Sequence, residues 1–431
     1  MALRLDAADA GFAAAFAAVL DAKRETETDV GAVVADILAD VRARGDDAVI
    51  DYTRRFDRFA LSPETMALDA AQIDEAVAAC DADALAALRV AAKRIEDFHR
   101  RQMPSDDRYR DDVGVELGTR WRPVAAAGLY VPGGTAAYPS SVLMNAVPAR
   151  VAGVARLAMV VPTPDDTINP LVLAAARIAG IDEIYRIGGA QAIAALAYGT
   201  ATIAPVDKIV GPGNAYVAAA KRQVFGVVGI DMIAGPSEIL VVADADNDPR
   251  WIAADLMSQA EHDTAAQAIL ITDDAGFADA VDAAVTELLK GLDRADIAGA
   301  SWADHGVIVT VADFDAAPAL INRLAPEHLE LAVADPDRLA EAVQNAGAIF
   351  LGRYTPEAIG DYVAGPNHVL PTGRTARFSS PLSVYDFLKR TNLVRCDADS
   401  LAVIGPPAIT LAKAEGLGAH ALSIAIRTNR P

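Results

Sequence analysis

The sequence has little cysteine and few basic residues for its size, and each shortage excludes a class of protein. Cys80 and Cys396 are the only cysteines and form no CxxC motif, which excludes a thiolate zinc knuckle and a disulfide framework. The formal net charge of -21 argues against nucleic acid or an anionic membrane as a partner, because both require a basic surface. A negatively charged cofactor is still compatible with this charge, since helix N-termini or a metal bind it locally.

Long apolar runs are also absent, and we expect no secretory leader. No apolar run approaches the length of a membrane span. The run over residues 10–20 resembles a short signal core, but two aspartates precede it where a signal carries basic residues. Phe12 and Phe16 are four residues apart, which favours an amphipathic helix. We therefore predict a helical arm over residues 1–21, and together with the cysteine content a cytoplasmic location.

The chain is long enough for two or more domains with large cores, because it has 431 residues of which 53% are apolar and 23% charged. Residues 28–105 are rich in alanine and carry charged faces. We predict helices over 30–41, 70–79 and 82–99. His99 lies among arginines, and we predict that it is on the surface.

From residue 124 onward, short apolar strands alternate with loops and helices. The strand at 183–187 leads into Gly-Gly-Ala-Gln at 188–191, and the strand at 208–210 leads into Gly-Pro-Gly-Asn at 211–214. A helix follows each of these loops, as is typical of a doubly wound nucleotide-type domain. Neither loop has the GxGxxG fingerprint, so phosphate binding is suggested but not established by the pattern.

Another strand, at 124–131, carries Tyr130 just before a Pro-Gly-Gly turn. Tyr130 either stacks on an adenine or nicotinamide ring or caps the core, and the sequence leaves both alternatives open. Further strands are predicted at 238–244, 268–272, 307–310 and 348–351. The simplest architecture is α/β, with two doubly wound domains of related design and short helical pieces at both ends.

Only six histidines occur, and four lie in unusual local settings: His262, His328, His368 and His420. Gln259 and His262 are three residues apart after an apolar helical pattern, so a helix would place them on one face. That face is suited to grip a metal or a substrate, although glutamine is an unusual zinc ligand. For this stretch by itself, a solvated helix end is the alternative.

Glu327 and His328 follow Pro326, which fits the first turn of a helix. We predict that both residues lie at the helix N-terminus and border one pocket. The positive end of the helix favours a carboxylate and a neutral imidazole. A neutral imidazole can act as a general base, and an ionised glutamate can activate water. The alternative is a capping glutamate beside an incidental histidine.

Asp361 comes just after a strand and loop and precedes the Gly-Pro-Asn-His sequence that ends in His368. We predict that both lie on a loop shaped by glycine and proline, where a carboxylate and an imidazole are good ligand or substrate contacts. Glu415 and His420 are five residues apart, about 140° on a regular helix, and share a site only if the intervening glycines loosen the turn. One glutamine, two histidines and one aspartate around Zn2+ would leave a net positive centre that still accepts nitrogen or oxygen donors.

Taken together, five segments resemble the histidinol dehydrogenase family. They are residues 235–238, 259–263, 325–331, 365–371 and 415–420. The likeness runs over nearly the whole chain and departs from the family at none of these motifs. It implies the oxidation of L-histidinol to L-histidine with two NAD+ and one zinc per active site, as the last step of histidine biosynthesis.

The resemblance also implies roles for individual residues. The zinc ligands would be Gln259, His262, Asp361 and His420. Glu327 and His328 would be the catalytic acid/base pair, with His328 as general base and Glu327 activating water. The cofactor contacts would be Tyr130, Gln191 and Asn214. The histidinol contacts would be Ser237, His368 and Glu415, together with His328 and the zinc ligands.

For the architecture, the resemblance implies a homodimer of two incomplete Rossmann-like domains with small terminal domains. The first domain would combine residues 22–129 with 237–381, and the second would span 130–236. A C-terminal domain over 382–431 would place Glu415 and His420 in the partner's active site. Such a segment is too small to bury much surface alone.

Three other interpretations compete with this one. A dehydrogenase acting on a different polar alcohol would share the zinc and base residues, so only His368 and Glu415, which suit a cationic imidazole-bearing substrate, discriminate against it. A zinc hydrolase would use Glu327 and zinc to activate water, but the glycine loops at 188 and 211 argue against it. A non-catalytic binding protein would not need four histidines in ligand-like settings.

Overall fold

The computed structural model describes residues 2–22, 30–133, 138–181, 183–233 and 235–428. The strands are β1 Leu3–Asp6, β2 Asp107–Arg110, β3 Glu116–Pro123, β4 Ala126–Tyr130, β5 Arg156–Val160, β6 Glu183–Tyr185, β7 Lys208–Val210, β8 Gly229–Ile230, β9 Glu238–Ala243, β10 Gln267–Thr272, β11 Val307–Thr310, β12 His328–Ala332, β13 Ala348–Leu351 and β14 Leu388–Arg395.

The α-helices are α1 Phe12–Asp21, α2 Gly31–Arg44, α3 Asp46–Asp57, α4 Pro63–Met66, α5 Ala70–Ala78, α6 Ala82–Arg100, α7 Pro139–Ala152, α8 Pro170–Ile178, α9 Gly189–Tyr198, α10 Ala215–Val224, α11 Pro249–Ala260, α12 Ala275–Leu288, α13 Ala295–His305, α14 Ala317–Leu324, α15 Pro336–Ala342, α16 Glu357–Tyr362, α17 Ala398–Ala414 and α18 Gly418–Ala425. Short 3-10 turns lie at Pro164–Asp166, Phe314–Ala316, Thr375–Arg377 and Val384–Phe387.

Two parallel sheets organise the fold. The six-stranded sheet has the order β1-β11-β10-β9-β12-β13, and the five-stranded sheet has the order β6-β5-β4-β7-β8. With β1 set aside and strands counted along the chain, both sheets read 3-2-1-4-5, which is the Rossmann order without its sixth strand. The predicted fold class, two incomplete Rossmann-like halves, is confirmed.

The four central strands of the six-stranded sheet, β9 to β12, are buried on both faces, as parallel strands with helices on each side must be. Leu240 and Val242 of β9 face a layer built with α1, α14 and α15. Val241 faces the opposite layer, built with α11, α12 and α13. The N-terminal arm is not purely helical, because β1 pairs in parallel with β11 before α1 begins, with Leu3 opposite Val307.

The helices between Gly31 and Arg100 pack on the five-stranded sheet. Helices α2 and α3 share an apolar cluster with α9 and α10 on one face, and α5 and α6 share another with α7 and α8 on the opposite face. Their buried contacts thus lie with the residues predicted for the second domain, although the sequence resemblance groups 22–129 with 237–381. The domain boundaries themselves stay a prediction.

Two helical details differ from the sequence expectations. Helix α3 is an additional element, with Asp46 and Asp47 in its first turn and Arg54 and Arg55 in its last turn, which suits the helix dipole. His99 was expected on the surface but has a relative exposure of 0%. It is placed inward by helical phase, because Ala91 and Ile95 lie eight and four residues earlier on the same buried face.

The C-terminal part forms a separate layer. Strand β14 pairs with β3 in an antiparallel sheet that also contains β2. Helices α17 and α18 pack on each other and expose apolar side chains to solvent: Val403, Leu411, Leu417, Leu422 and Ile426. Among the described residues, no helix combines the length and apolar character needed to cross a bilayer.

Candidate active site

The candidate site lies at the amino end of β12, beside α11 and α16. Glu327 directly precedes β12 and His328 is its first residue. We predicted that these two residues begin a helix, and this prediction is wrong. Helix α14 ends at Leu324, Ala325 adopts a left-handed φ of 46°, and Pro326 lacks the N–H that would continue the helix. The chain therefore turns into a strand.

Alternation along β12 gives its polar side chains one common face. Leu329 and Leu331 pack into the apolar layer with α1, α14 and α15. His328 and Glu330 project to the opposite face, where α11 and α16 lie. A strand therefore presents the imidazole to two helices at once, which a helix N-terminus at this point would not do.

His328 is buried among hydrogen-bond acceptors. Its Nδ1 lies 3.0 Å from the carbonyl oxygen of Glu238, so Nδ1–H donates there and Nε2 carries the lone pair of the neutral ring. Nε2 lies 3.6 Å from Glu357 Oε1 and 3.7 Å from Asp361 Oδ1. Burial alone lowers the pKa of His328, but the carboxylates of Glu327 and Asp361 outweigh it and raise this pKa to about 10.

Glu327 is held from the neighbouring strand. Its Oε2 accepts the Glu238 N–H at 2.9 Å and lies 3.7 Å from His328 Nδ1. Burial raises the pKa of Glu327 to about 8, with the His328 ring acting in the opposite direction. Glu327 and His328 therefore form a buried pair in which the charge of each partner stabilises that of the other.

Helix α16 carries two further carboxylates to the same point. Asp361 was predicted on a loop, but it lies in the last turn of this short helix. The helix begins after Pro356, the side chain of Glu330 accepts the first N–H of the helix at Glu357, and Gly360 allows the backbone to approach Phe350 closely.

Glu357 is not among the ligands predicted from the sequence, although it stands four residues before Asp361 on one helix face. Its side chain is 1% exposed, and Oε2 accepts a hydrogen bond from Ser258 Oγ at 2.9 Å. Burial raises the pKa of Glu357 to about 7. The i, i+4 spacing was a usable signal, but the contacts with Ser258 and His328 depend on the tertiary fold.

Gln259 and His262 come from the end of α11. Gln259 lies in its last turn with Nε2 3.3 Å from His328 Nδ1, and His262 follows the Glu261 cap, its N–H donating to the Gln259 carbonyl at 3.2 Å. The two residues were predicted on one face of a helix, but only Gln259 lies in the helix, and His262 lies in the turn that follows it. Desolvation lowers the pKa of His262 although the residue stays solvent-exposed, and Asp361 opposes this shift.

His368 completes the group from the segment that links the two halves. Its Nδ1 lies 3.0 Å from the Asp361 carbonyl oxygen, and burial lowers its pKa. The preceding residue, Asn367, donates to the Met144 carbonyl in α7 at 2.7 Å. The segment therefore connects this site to the helix that follows Tyr130.

The residues of this group fit a divalent cation. The ligand atoms of His328, Glu357 and Asp361 lie within 4.8 Å of one another. Within the described part of the chain, this is the group of histidine and carboxylate side chains close enough together to hold a metal ion. Gln259 Oε1 and Glu357 Oε1 are buried without a hydrogen-bond partner among the described residues. Unsatisfied buried oxygens beside imidazoles are donors that zinc accepts.

Two of the predicted contact residues, Glu415 and His420, stand apart from this group in the single chain. Glu415 caps the end of α17 and His420 lies in α18, and both are exposed. Gly416, with a φ of 74°, breaks the helix between them, as the predicted loosening requires. Ser237 is half-buried before β9, and its carbonyl accepts the Gln267 N–H.

The predicted cofactor residues lie at the carboxyl edge of the five-stranded sheet. Tyr130, at the end of β4, is buried, and its hydroxyl accepts the Gly189 N–H at 3.1 Å. Burial raises the pKa of Tyr130 to about 12. The ring belongs to the apolar cluster that includes α9 and α10, and its contact with an adenine or nicotinamide ring stays a prediction.

Gln191 and Asn214 occupy the starts of the two helices that follow the glycine loops. Gln191 is 1% exposed, in the first turn of α9, and its Oε1 has no hydrogen-bond partner among the described residues. Asn214 Oδ1 accepts the N–H groups of Tyr216 and Val217, so it caps α10. An unsatisfied buried amide oxygen beside a glycine turn at a carboxyl edge suits a polar ligand such as a dinucleotide.

Comparison with known proteins agrees with this arrangement. A family model described as histidinol dehydrogenase matches residues 20–428. A histidinol dehydrogenase of Rhodospirillum rubrum is 69% identical over 431 residues, covering 100% of this chain and 99% of that protein. One of Rhizobium meliloti is 65% identical over 429 residues, covering 100% of this chain and 99% of that protein.

A solved structure supports the same conclusion. The crystal structure of histidinol dehydrogenase from Elizabethkingia anophelis superimposes with a TM-score of 0.95 at 34% identity, covering 99% of this chain and 98% of that one. The match spans both parallel sheets and the terminal segments. With the family model, the relatives and the shared fold in agreement, this chain is an oxidoreductase that belongs to the histidinol dehydrogenase family.

Proposed function

We propose that this chain oxidises L-histidinol to L-histidine in two NAD+-dependent steps, with bound histidinal between them. The observation that carries the proposal is the buried Glu327–His328 pair facing Gln259, Asp361 and His368. A base and a carboxylate side by side are what an alcohol-to-acid oxidation needs, because it removes two protons and adds one water.

Zinc would be held by Gln259, His262 and Asp361 of one chain and by His420 of a second copy. When bound, it supplies Lewis-acid orientation of the substrate's nitrogen atoms, and its charge offsets that of the surrounding carboxylates. Ser237, His368 and Glu415 would complete the contacts with histidinol. The acidic surroundings suit a substrate that carries an amine and an imidazole.

His328 acts as the general base in both oxidations. Its Nδ1–H is fixed by the Glu238 carbonyl, and a zinc ion held at Asp361 would offset the carboxylate charge that raises the pKa of His328, so the ring would be neutral. Nε2 of the neutral ring then accepts the proton of the alcohol and later that of the hydrate. Each oxidation also releases a hydride, which NAD+ would accept. In its ionised form Glu327 removes a proton from the water that adds to the aldehyde, and burial, which raises its pKa to about 8, makes that carboxylate a stronger base.

NAD+ would bind at the carboxyl edge of the five-stranded sheet, next to Tyr130, Gln191 and Asn214. Tyr130 holds the Gly189 N–H and so shapes the start of α9. Gln191 offers a buried amide oxygen without a partner among the described residues, and Asn214 fixes the start of α10. Backbone N–H groups at these helix starts supply the positive ends that attract a pyrophosphate.

The active form would be a homodimer with shared sites. Glu415 and His420 are exposed and away from the other predicted ligands in one chain, and the helices that carry them expose an apolar surface: Val403, Leu411, Leu417, Leu422 and Ile426. Contiguous exposed apolar side chains typically mark a protein interface. A second copy that covers this surface would bring His420 to the zinc ligands of its neighbour.

The stoichiometry of the reaction tests the proposal. Purified protein should reduce two NAD+ for each L-histidinol consumed and release little free histidinal, as measured by NADH absorbance against the histidine formed. One NADH per alcohol with release of the aldehyde would contradict it and would indicate a simple alcohol dehydrogenase.

A further inference from the structure

The loop at residues 211–214 is held by a buried ion pair that no functional role yet explains. Lys221 of α10 and Asp231, just after β8, form an ion pair with side chains 3% and 1% exposed. Such a pair loses much of its attraction to the cost of desolvation, so its presence is weak evidence for stability alone. Its contacts with the loop indicate what it does instead.

The pair grips both polar groups of one glycine. Lys221 Nζ donates to the Gly211 carbonyl at 2.9 Å, and Asp231 Oδ2 accepts the Gly211 N–H at 2.8 Å. Gly211 has a φ of 112°, and a Cβ there would lie 2.1 Å from the Tyr130 carbonyl oxygen. The glycine is therefore pressed against the end of β4 and cannot rotate without breaking two charge-assisted hydrogen bonds.

The remainder of the loop follows from this fixed point. A Cβ on Gly213 would lie 2.4 Å from Val217 Cγ1, and Asn214 caps the helix that carries Lys221. Lys221 thus connects the body of α10 back to the residue that opens the loop. The backbone N–H groups of the loop are oriented before any ligand arrives.

We propose that Lys221 and Asp231 are positioning residues for binding of the nicotinamide dinucleotide. They hold Gly211 and so preorganise the loop at residues 211–214, while they contact neither substrate nor cofactor. This inference rests on the proposed NAD+ site at the carboxyl edge of the five-stranded sheet. A loop that is already ordered binds its ligand more tightly, because no conformational entropy is lost on binding.

The test uses the double variant Lys221→Met/Asp231→Asn in the full dimeric enzyme. It removes both buried charges together and leaves an amide oxygen for the Gly211 N–H, but it removes the donor to the Gly211 carbonyl. We expect the KM for NAD+ to rise about tenfold, with little change in the KM for histidinol, the kcat at saturating NAD+ or the zinc content. A role in stability alone would lower the melting temperature and leave the KM for NAD+ unchanged, and that result would overturn the proposal.

A matched control lies in the same sheet, at the amino ends of β5 and β6. Arg156 and Glu183 form an ion pair at 3.0 Å where β5 and β6 begin. Arg156→Met/Glu183→Gln removes the same two charges and should leave the KM for NAD+ unchanged. An equal rise in both double variants would overturn the assignment, because the effect would then be general to the sheet.

Hydrogen exchange on the wild-type protein covers the case in which the double variant does not fold. The peptide spanning residues 209–216 should exchange slowly in the free enzyme and gain little further protection when NADH is added. Rapid exchange in the free enzyme would overturn the proposal. The proposed function fails separately, if wild-type protein with histidinol reduces no NAD+, and Asn214→Ala reports whether this loop contributes to cofactor binding at all.

Discussion

The two parallel sheets have the same strand order and use it in opposite ways. In the six-stranded sheet the ionisable side chains gather at the amino end of β12. In the five-stranded sheet the predicted cofactor residues follow the carboxyl ends of β4, β6 and β7. Open α/β sheets usually bind ligands at the carboxyl edge, so only the predicted cofactor site lies where the strand order would place a ligand. The strand order by itself therefore does not locate a site, and the site has to be identified from its side chains.

The chemistry of the two regions differs as much as their position. Around β12, burial raises the pKa of Glu327 to about 8 and that of Glu357 to about 7. At the other sheet, the buried charges of Lys221 and Asp231 neutralise each other and the remaining contacts are made by amides and glycine. Perturbed carboxylates are typical of a region that moves protons, while a compensated pair is typical of one that holds a shape.

The largest expected effect comes from the proton-transfer half. His328→Asn keeps a polar side chain at the start of β12 but removes the Nε2 lone pair. We expect kcat to fall by roughly 10²- to 10⁴-fold, with the KM for NAD+ little changed. Steady-state kinetics with each substrate varied in turn measure both quantities. If kcat fell less than about tenfold, the assignment of His328 as general base would be wrong.

Mixed dimers test whether the proton-transfer half is completed by a second chain. His328→Asn and His420→Asn should each be inactive as homodimers. In a heterodimer with shared sites, one site carries both substitutions and the other carries neither, so activity returns at one site per dimer. Doubly tagged heterodimers with no more activity than the parents would show that each site is built from one chain.

Zinc retention gives a smaller effect and distinguishes two sets of ligands. The family resemblance assigns His262, Gln259, Asp361 and His420, whereas the structure adds Glu357 next to Asp361. We expect His262→Asn to lose zinc to a chelator faster than Glu357→Gln, because it removes a direct ligand. Metal content after timed dialysis measures this. Equal loss from both variants would place Glu357 among the ligands, and full activity without metal would exclude a zinc role.

The comparison also separates what the sequence could predict from what it could not. Local patterns sufficed for the strands at the glycine loops, because a short apolar run, a glycine turn and a helix are all short-range features. The segment from Pro326 to Leu331 was mispredicted because proline is common both just after the end of a helix and in its first turn. Only pairing of β12 with β9 and β13 decides between them.

Glu357 becomes buried through long-range contacts in the same way, and its i, i+4 spacing to Asp361 is only a local signal. Its partners, Ser258 and His328, are 99 and 29 residues away, and only the fold brings them together. His99 differs, because its burial was readable from helical phase with Ile95 but was obscured by the neighbouring arginines. The burial of Glu357 could not be predicted because its contacts are long-range. The burial of His99 was mispredicted because its charged sequence neighbours suggested an exposed position.

His99 supplies the smallest predicted effect, as a buried histidine without carboxylates beside it. Its Nδ1 lies 2.8 Å from the Ile95 carbonyl, and burial lowers its pKa, in contrast to His328. The folded state therefore keeps His99 neutral while the unfolded chain binds a proton near its usual pKa of about 6.5. Stability is unaffected above that pH and falls as the pH drops below it, because the unfolded state then binds more protons. In His99→Phe, which cannot take up a proton, the free energy of unfolding should fall less between pH 7 and pH 5, by at most about 2 kcal/mol, the limit set by the unfolded pKa. Urea unfolding at both pH values measures the difference, and parallel losses in wild type and variant would mean that His99 titrates normally in the fold.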